Sequence, residues 1–360
     1  MNFKSENLIL IIGNGFDLAH NYKTSYNDFA NHIIDKKLSA EIMEFGSSVK
    51  ESKFIFKSFL NEINRNHLFN ENGNFIQRLT AHKILKTPEK LPDTLNLFSS
   101  QLKQILNNRF LGKLFGNQFE NWFDIENAYF FELISIFKTT NSKAQKTKEI
   151  VELNNNLIEI KETLFEYLKT IKTEPNRYVK KFFNSINIDS FQNVYVINFN
   201  YTISIENYIE QSDKIKINYI HGDIDSKDII FGYGNDQHPN YKDIKATEID
   251  EFLRFFKTFE YLNNNKYNSV YEDALEYFDE YDVVIIGHSL AQTDKTLLKE
   301  ILNNQKCNRI HLFKRSDLKN DLSNIREAFN KQIYSISRII DNEKDLRVKL
   351  KNYEESTFFP

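Results

Sequence analysis

The chain has 360 residues, enough for a sizeable core, with 27% charged and a net charge of −3. That balance gives no basic footprint of the kind nucleic-acid binders carry. One cysteine, Cys307, excludes an internal disulfide framework and a multi-cysteine zinc site.

The opening "MNFKSENLILIIGNG" has a strand-length apolar run without a cleavage-site pattern, so no signal peptide is expected. No stretch approaches 18 uninterrupted apolar residues, so neither is a membrane-spanning helix. The expectation is a soluble cytoplasmic protein that is not a membrane partner.

The first predicted element is the strand "LILII", Leu8–Ile12, which stops in Gly13-Asn14-Gly15 and restarts as a helix at Phe16-Asp17. A mainly helical block follows. "SYNDFANHIIDK" (Ser25–Lys36) and "EIVELNNNLIEIKETLFEYLKTI" (Glu149–Ile171) repeat apolar residues at i, i+3 and i+4. "KTPEKLPDT" (Lys86–Thr94), with two prolines, predicts a loop between them. Strands resume at "VYVINF" (Val194–Phe199), "KINYI" (Lys216–Ile220) and "DIIFGYG" (Asp228–Gly234). A helix is predicted over Thr247–Leu262, then strands at "DVVII" (Asp282–Ile286) and "IHLF" (Ile310–Phe313). Runs that are apolar throughout, rather than alternating, suit parallel strands buried on both faces. The predicted fold is α/β, a parallel Rossmann-type sheet with a large helical insertion. Residues 1–30 and 186–360 form the expected nucleotide-binding core, and 31–185 the insertion.

Ligands of open parallel sheets sit outside the carboxyl ends of the strands. Here those ends are Gly13–Asp17, "NFNYT" (Asn198–Thr202), "YIHGD" (Tyr219–Asp223) and "IIGHSLAQTD" (Ile285–Asp294). A glycine turn opening a helix lets backbone N–H groups approach a phosphate. The dehydrogenase fingerprint is incomplete, because Leu18 stands where its third glycine belongs, and no Walker G-K-S/T is present. A tight turn needing positive φ is the plainer explanation of Gly13 and Gly15. "GHSLA" nearly matches a nucleophile elbow with Ser289 as nucleophile. Its only downstream histidine, His311, lies in a predicted strand, and its nearest acid, Asp294, follows the elbow directly. That order does not suit a triad. Asp17 and Asp294 each suit either a ribose hydroxyl or a helix cap.

The motifs "NGFDLAHNYKTSYNDF" (Asn14–Phe29), "FNYT" (Phe199–Thr202), "IHGD" (Ile220–Asp223), "FGYGND" (Phe231–Asp236) and "GHSLAQTD" (Gly287–Asp294) resemble, in order, those of the AbiH family. Its members are bacterial proteins associated with abortive infection during phage attack. More distantly, the order is similar to the sirtuin-type NAD-binding fold. That likeness implies Gly13, Gly15 and Phe16 at the first turn, and Asn200 and His221 at the asparagine and histidine positions. Gly287, Ser289 and Leu290 would form the late turn. Ala30 stands where the sirtuin pattern has arginine, and the zinc-ribbon cysteines of sirtuin deacetylases are missing.

The resemblance implies an anti-phage effector that binds NAD or a related nucleotide and cleaves its nicotinamide–ribose bond. Asn200 would orient the ribose or a water, and His221 would act as base, its ordinary pKa suiting neutral pH. Contacts to the nucleotide are expected from Gly13, Asn14, Gly15, Phe16, Asp17, Thr202, Gly222, Gly287, Ser289, Leu290 and Asp294, with no metal. A homo-oligomer and a phage-derived trigger are the further expected partners. The alternative is a non-catalytic sensor of a nucleotide or ADP-ribose-type signal.

Overall fold

The computed structural model describes residues 2–26, 28–29, 32–33, 108, 110, 122–226, 229–319 and 321–360. The chain divides into two compact units, residues 25–167 and, from both sides of that block, residues 1–24 with 168–360.

The first unit contains helices α2 (Trp122–Lys138) and α3 (Lys143–Leu168). Its described core takes Ile125, Tyr129, Leu133 and Ile136 from α2 and Leu153, Leu157, Ile160 and Leu164 from α3. The hydroxyl of Tyr129 donates to Asn154 Oδ1 at 2.8 Å, so the buried amide does not go unpaired. The predicted Pro-containing loop Lys86–Thr94 lies outside the described residues, as does much of the predicted helix Ser25–Lys36.

The second unit is built on β1 (Asn7–Ile12), β2 (Asn193–Asn198), β3 (Ile215–Tyr219), β4 (Tyr281–Ile286) and β5 (Cys307–His311). They form one sheet in the order β3-β2-β1-β4-β5, with every neighbouring pair parallel. All six residues of β1 are buried because β1 is central and covered on both faces. Alternate side chains feed two cores. Leu8, Leu10, Ile12, Val194, Val196 and Ile286 pack with Val179, Phe182 and Phe183 of α4 (Arg177–Ile186). Ile9, Ile11, Tyr195, Ile197, Val283 and Ile285 pack on the other face with Leu297, Leu298 and Ile301 of α6 (Lys295–Leu302). The parallel sheet expected from the apolar runs is therefore the sheet observed.

Two predicted elements differ. The run through Gly234 is not a strand. Its described residues form a buried segment that is pinned at single points, with Ile230 N–H donating to His221 O and Tyr233 making an isolated bridge to Phe256. The predicted helix Thr247–Leu262 is interrupted for the same reason. Tyr233 N–H donates to Phe255 O and Lys257 N–H to Tyr233 O, which draws Phe256 into extended backbone (φ −79°, ψ 123°). Only a 3-10 turn at Asp250–Phe252 and the short helix α5 (Lys257–Leu262) remain. No helix among the described residues is long and apolar enough to cross a membrane.

Candidate functional site

This strand order reverses between β1 and β4, the switch point at which doubly wound sheets form a crevice. Two glycine-bearing turns meet there. Gly13 N–H donates to Ile286 O at 2.9 Å and Gly15 N–H to Gly287 O at 2.8 Å, continuing the β1–β4 pairing beyond the strands. A Cβ on Gly13 would stand 2.5 Å from His288 Cα, and one on Gly15 2.7 Å from Gly287 Cα. Gly287 itself has φ +68°, whereas neither Gly13 nor Gly15 has positive φ. The "GNG" glycines are thus required by the close approach of a second turn, not by their own dihedral angles. Phe16 N–H donates back to Gly13 O, so the amides of Gly13, Gly15 and Phe16, expected to face a phosphate, already serve the turns. The side chain of Asn14 donates to Thr24 O. Gly287 and Ser289 are the exposed members of the junction.

The loop after β2 locks onto the first turn. Asn200 donates through its amide to Gly13 O at 3.1 Å. Asp17, in the short helix α1 (Asn14–Leu18), is 1% exposed and accepts from Ser204 Oγ at 2.5 Å and Thr202 Oγ1 at 2.7 Å. It makes no side-chain cap of α1. Burial pushes its carboxyl up to about 6, although the two hydroxyls and Asn200 pull the other way.

A second polar knot lies beyond Phe199, whose ring meets those of His221 (5.1 Å) and His288 (4.3 Å) edge-on. At its centre is Asp294. Although Asp294 occupies the N-cap position of α6, its side chain does not cap. Its Oδ1 accepts from Lys257 Nζ at 2.7 Å and stands 3.1 Å from His221 Nε2, and its Oδ2 is 3.7 Å from His288 Nε2. The His221 contact is too oblique for a well-formed hydrogen bond, and Nε2 is buried without another partner. His288 Nδ1 accepts from Leu290 N–H at 3.0 Å, which places the ring proton on Nε2, towards Asp294. Leu290 takes φ +56° to make that turn, and Gly222 takes φ +80° beside His221.

Burial alone would raise the Asp294 carboxyl, but Lys257 and the two histidines hold it below the usual carboxylate range. Burial, reinforced by Lys257, lowers the pKa of His221, and burial brings that of His288 down to about 4. At neutral pH the knot is therefore one carboxylate, one ammonium and two neutral imidazoles. Asp294 also lines a recess of about 130 Å³ with Tyr261, Tyr267 and Asp236.

The expected site residues thus fall into two adjoining groups. Gly13, Gly15, Asp17, Asn200 and Thr202 knit the β1 and β2 ends together, while His221 and Asp294 sit in the second knot. Backbone contact between Gly13 and His288 joins the groups. Ser289 is exposed, and His311 lies on β5 with Nε2 3.9 Å from Asp282, so among the described residues the elbow has no triad. Lys257 and His288 were not expected as site residues. A signal for Lys257 existed: a lone lysine amid "RFFKTFEY" interrupts an aromatic run.

The profile of the family described as bacteriophage abortive infection AbiH matches residues 9–315, from β1 to beyond β5. The chain belongs to the AbiH family. The match spans both polar knots of this AbiH chain and the strand ends that carry them. No curated protein and no solved structure matches the chain.

Proposed function

We propose that this AbiH chain acts in phage defence by binding NAD or a related nucleotide and cleaving its nicotinamide–ribose bond. The observation that carries the reading is the Lys257–Asp294–His221–His288 knot, buried at the carboxyl end of a parallel sheet beside a recess. Asp294 is the member facing that recess. Held ionised, it offers negative charge to the ribosyl carbon as positive charge develops there. The bond from that carbon to the ring nitrogen breaks, its electron pair leaves with nicotinamide, and a water oxygen bonds to the carbon. His221, kept neutral behind Asp294, receives the proton the water gives up. Asn200 acts through Gly13 by fixing the turn against which the ribose would lie, and Gly287 and Ser289 offer the exposed edge for the phosphates.

The test incubates the protein with NAD, alone and with lysate from phage-infected cells to supply a trigger, and measures free nicotinamide. Release is expected, falling by about 10²- to 10⁴-fold in His221→Ala, with circular dichroism unchanged. Nucleotide binding without release would favour the sensing role. Undiminished release by His221→Ala would remove the base assignment.

A further inference from the structure

We infer that the recess beside Asp294 is a subsite for one cationic, planar heteroaromatic ring, a pyridinium of the nicotinamide type; this rests on the function proposed above and assigns its leaving group a place. Size limits the occupant first. At about 130 Å³ the recess is well below the roughly 300–1,000 Å³ of sites that enclose a drug-sized ligand. It takes one ring, and the remainder of a dinucleotide would lie outside it.

The walls then select the kind of ring. Tyr261 and Tyr267 both line the recess, with centroids 5.2 Å apart and planes 28° from parallel. Tyr261 also lies nearly parallel to the His221 ring, at 6.5 Å. Aromatic faces attract cations, the more so where water is excluded. Charge acts in the same sense. Asp294 and Asp236 both line the recess, and no lysine or arginine is among its described lining residues; Lys257 reaches Asp294 from outside the recess, and Lys266 acts on His221. The Thr296 hydroxyl lies 2.9 Å from both Asp236 Oδ1 and Gly234 O, so its one proton is shared between the second carboxylate and that carbonyl. Asn268 lines the mouth and offers an amide to a ring-borne carboxamide. Leu262, 73% exposed, stands there too, an apolar side chain that a seated ring would cover.

The assignment has a chemical consequence. Cleavage turns the pyridinium into a neutral base, so the attraction that seats the ring disappears once its bond to ribose breaks. The leaving group is then bound more weakly than the substrate that delivered it.

The decisive experiment titrates the folded protein with two small probes by calorimetry: the N-methylnicotinamide cation, which carries no ribose to be cleaved from, and neutral nicotinamide. The cation is expected to bind about ten-fold more tightly than the neutral base. Asp236→Asn and Tyr267→Leu should each weaken the cation several-fold while leaving nicotinamide nearly unchanged. Tyr267→Phe, which keeps the ring face, should retain cation binding. Equal affinity for both probes, or cation binding indifferent to Asp236→Asn and Tyr267→Leu, overturns the subsite. The two proposals fail separately. Cation binding without nicotinamide release from NAD rejects the cleavage reaction and keeps the subsite. Release whose KM ignores Asp236 and Tyr267 rejects the subsite and keeps the reaction.

Discussion

Lys257 and Asp294 form a 2.7 Å ion pair in which the lysine side chain is 1% exposed and the aspartate 9%. Removing both from water is costly, and their attraction compensates only while both are present. Lys257→Met should therefore destabilise the protein by about 3–5 kcal/mol, because it strands a buried carboxylate. Lys257→Met combined with Asp294→Asn should lose clearly less than the two single changes added together. Denaturant unfolding of the parent and the three variants measures the coupling, and simple additivity would show that the pair is not a unit.

The Gly13–His288 and Gly15–Gly287 contacts make a prediction about stability that requires no ligand. Gly13→Ala or Gly15→Ala forces apart two backbones already paired by hydrogen bonds. Each should cost about 3 kcal/mol or more, among the larger effects of single changes. Leu18→Ala, in the same helix but exposed, should stay within about 0.5 kcal/mol. A Gly15→Ala protein that unfolds at the parent's denaturant midpoint contradicts the turn-on-turn account.

Asp17 and His288 oppose each other in acid. With its carboxyl raised from 3.8 to about 6, Asp17 keeps a proton in the folded chain that the unfolded chain has already released. Its contribution is present below pH 3.8 and is lost as pH rises through about 6. His288, lowered from 6.5 to about 4, contributes above pH 6.5, and that contribution is lost as pH falls towards 4. Asp17→Asn removes the first slope only. Its stability should fall more steeply than the parent's between about pH 6 and 4, and at pH 7 it should gain about 1–3 kcal/mol. Parallel stability–pH curves for the two proteins would reject the assignment of that proton to Asp17.

Ser289 offers a check on the rival chemistry. It is exposed, and no triad partner accompanies it among the described residues. Ser289→Ala should raise the KM for NAD, since it removes a hydroxyl from the edge offered to the phosphates, but keep kcat within a few-fold of the parent, and serine-directed acylating reagents should leave the protein unlabelled. Loss of turnover by orders of magnitude would return the nucleophile elbow to consideration.

The sheet was readable because burial on both faces writes itself into a strand as unbroken apolar sequence, as in Leu8–Ile12 and Val194–Ile197. Residues shaped by distant backbone partners were not readable. Thr247–Leu262 carries helical spacing, yet two hydrogen bonds with Tyr233 break it and turn Lys257 inward to Asp294. The glycine turn was visible as a motif, but its reason stood at Gly287, on another strand. Asp17 and Asp294 follow strand ends and read equally well as caps; tertiary partners give them other work.

Sheet order also constrains when the protein can exist as such. Along the chain the central strand β1 precedes the other strands of its sheet, and its partner β4 comes fourth. Lys4 N–H donates to Asp282 across 278 positions. Closure of so long a loop makes assembly late and slow. A nascent chain that stops before Tyr281 has β1 with one open edge, exposed to wrong pairings. It also has Lys257 without its carboxylate. The centre at Asp294 is therefore absent from any nascent chain that ends before that residue, and a premature stop ahead of it removes the centre as completely as loss of the gene.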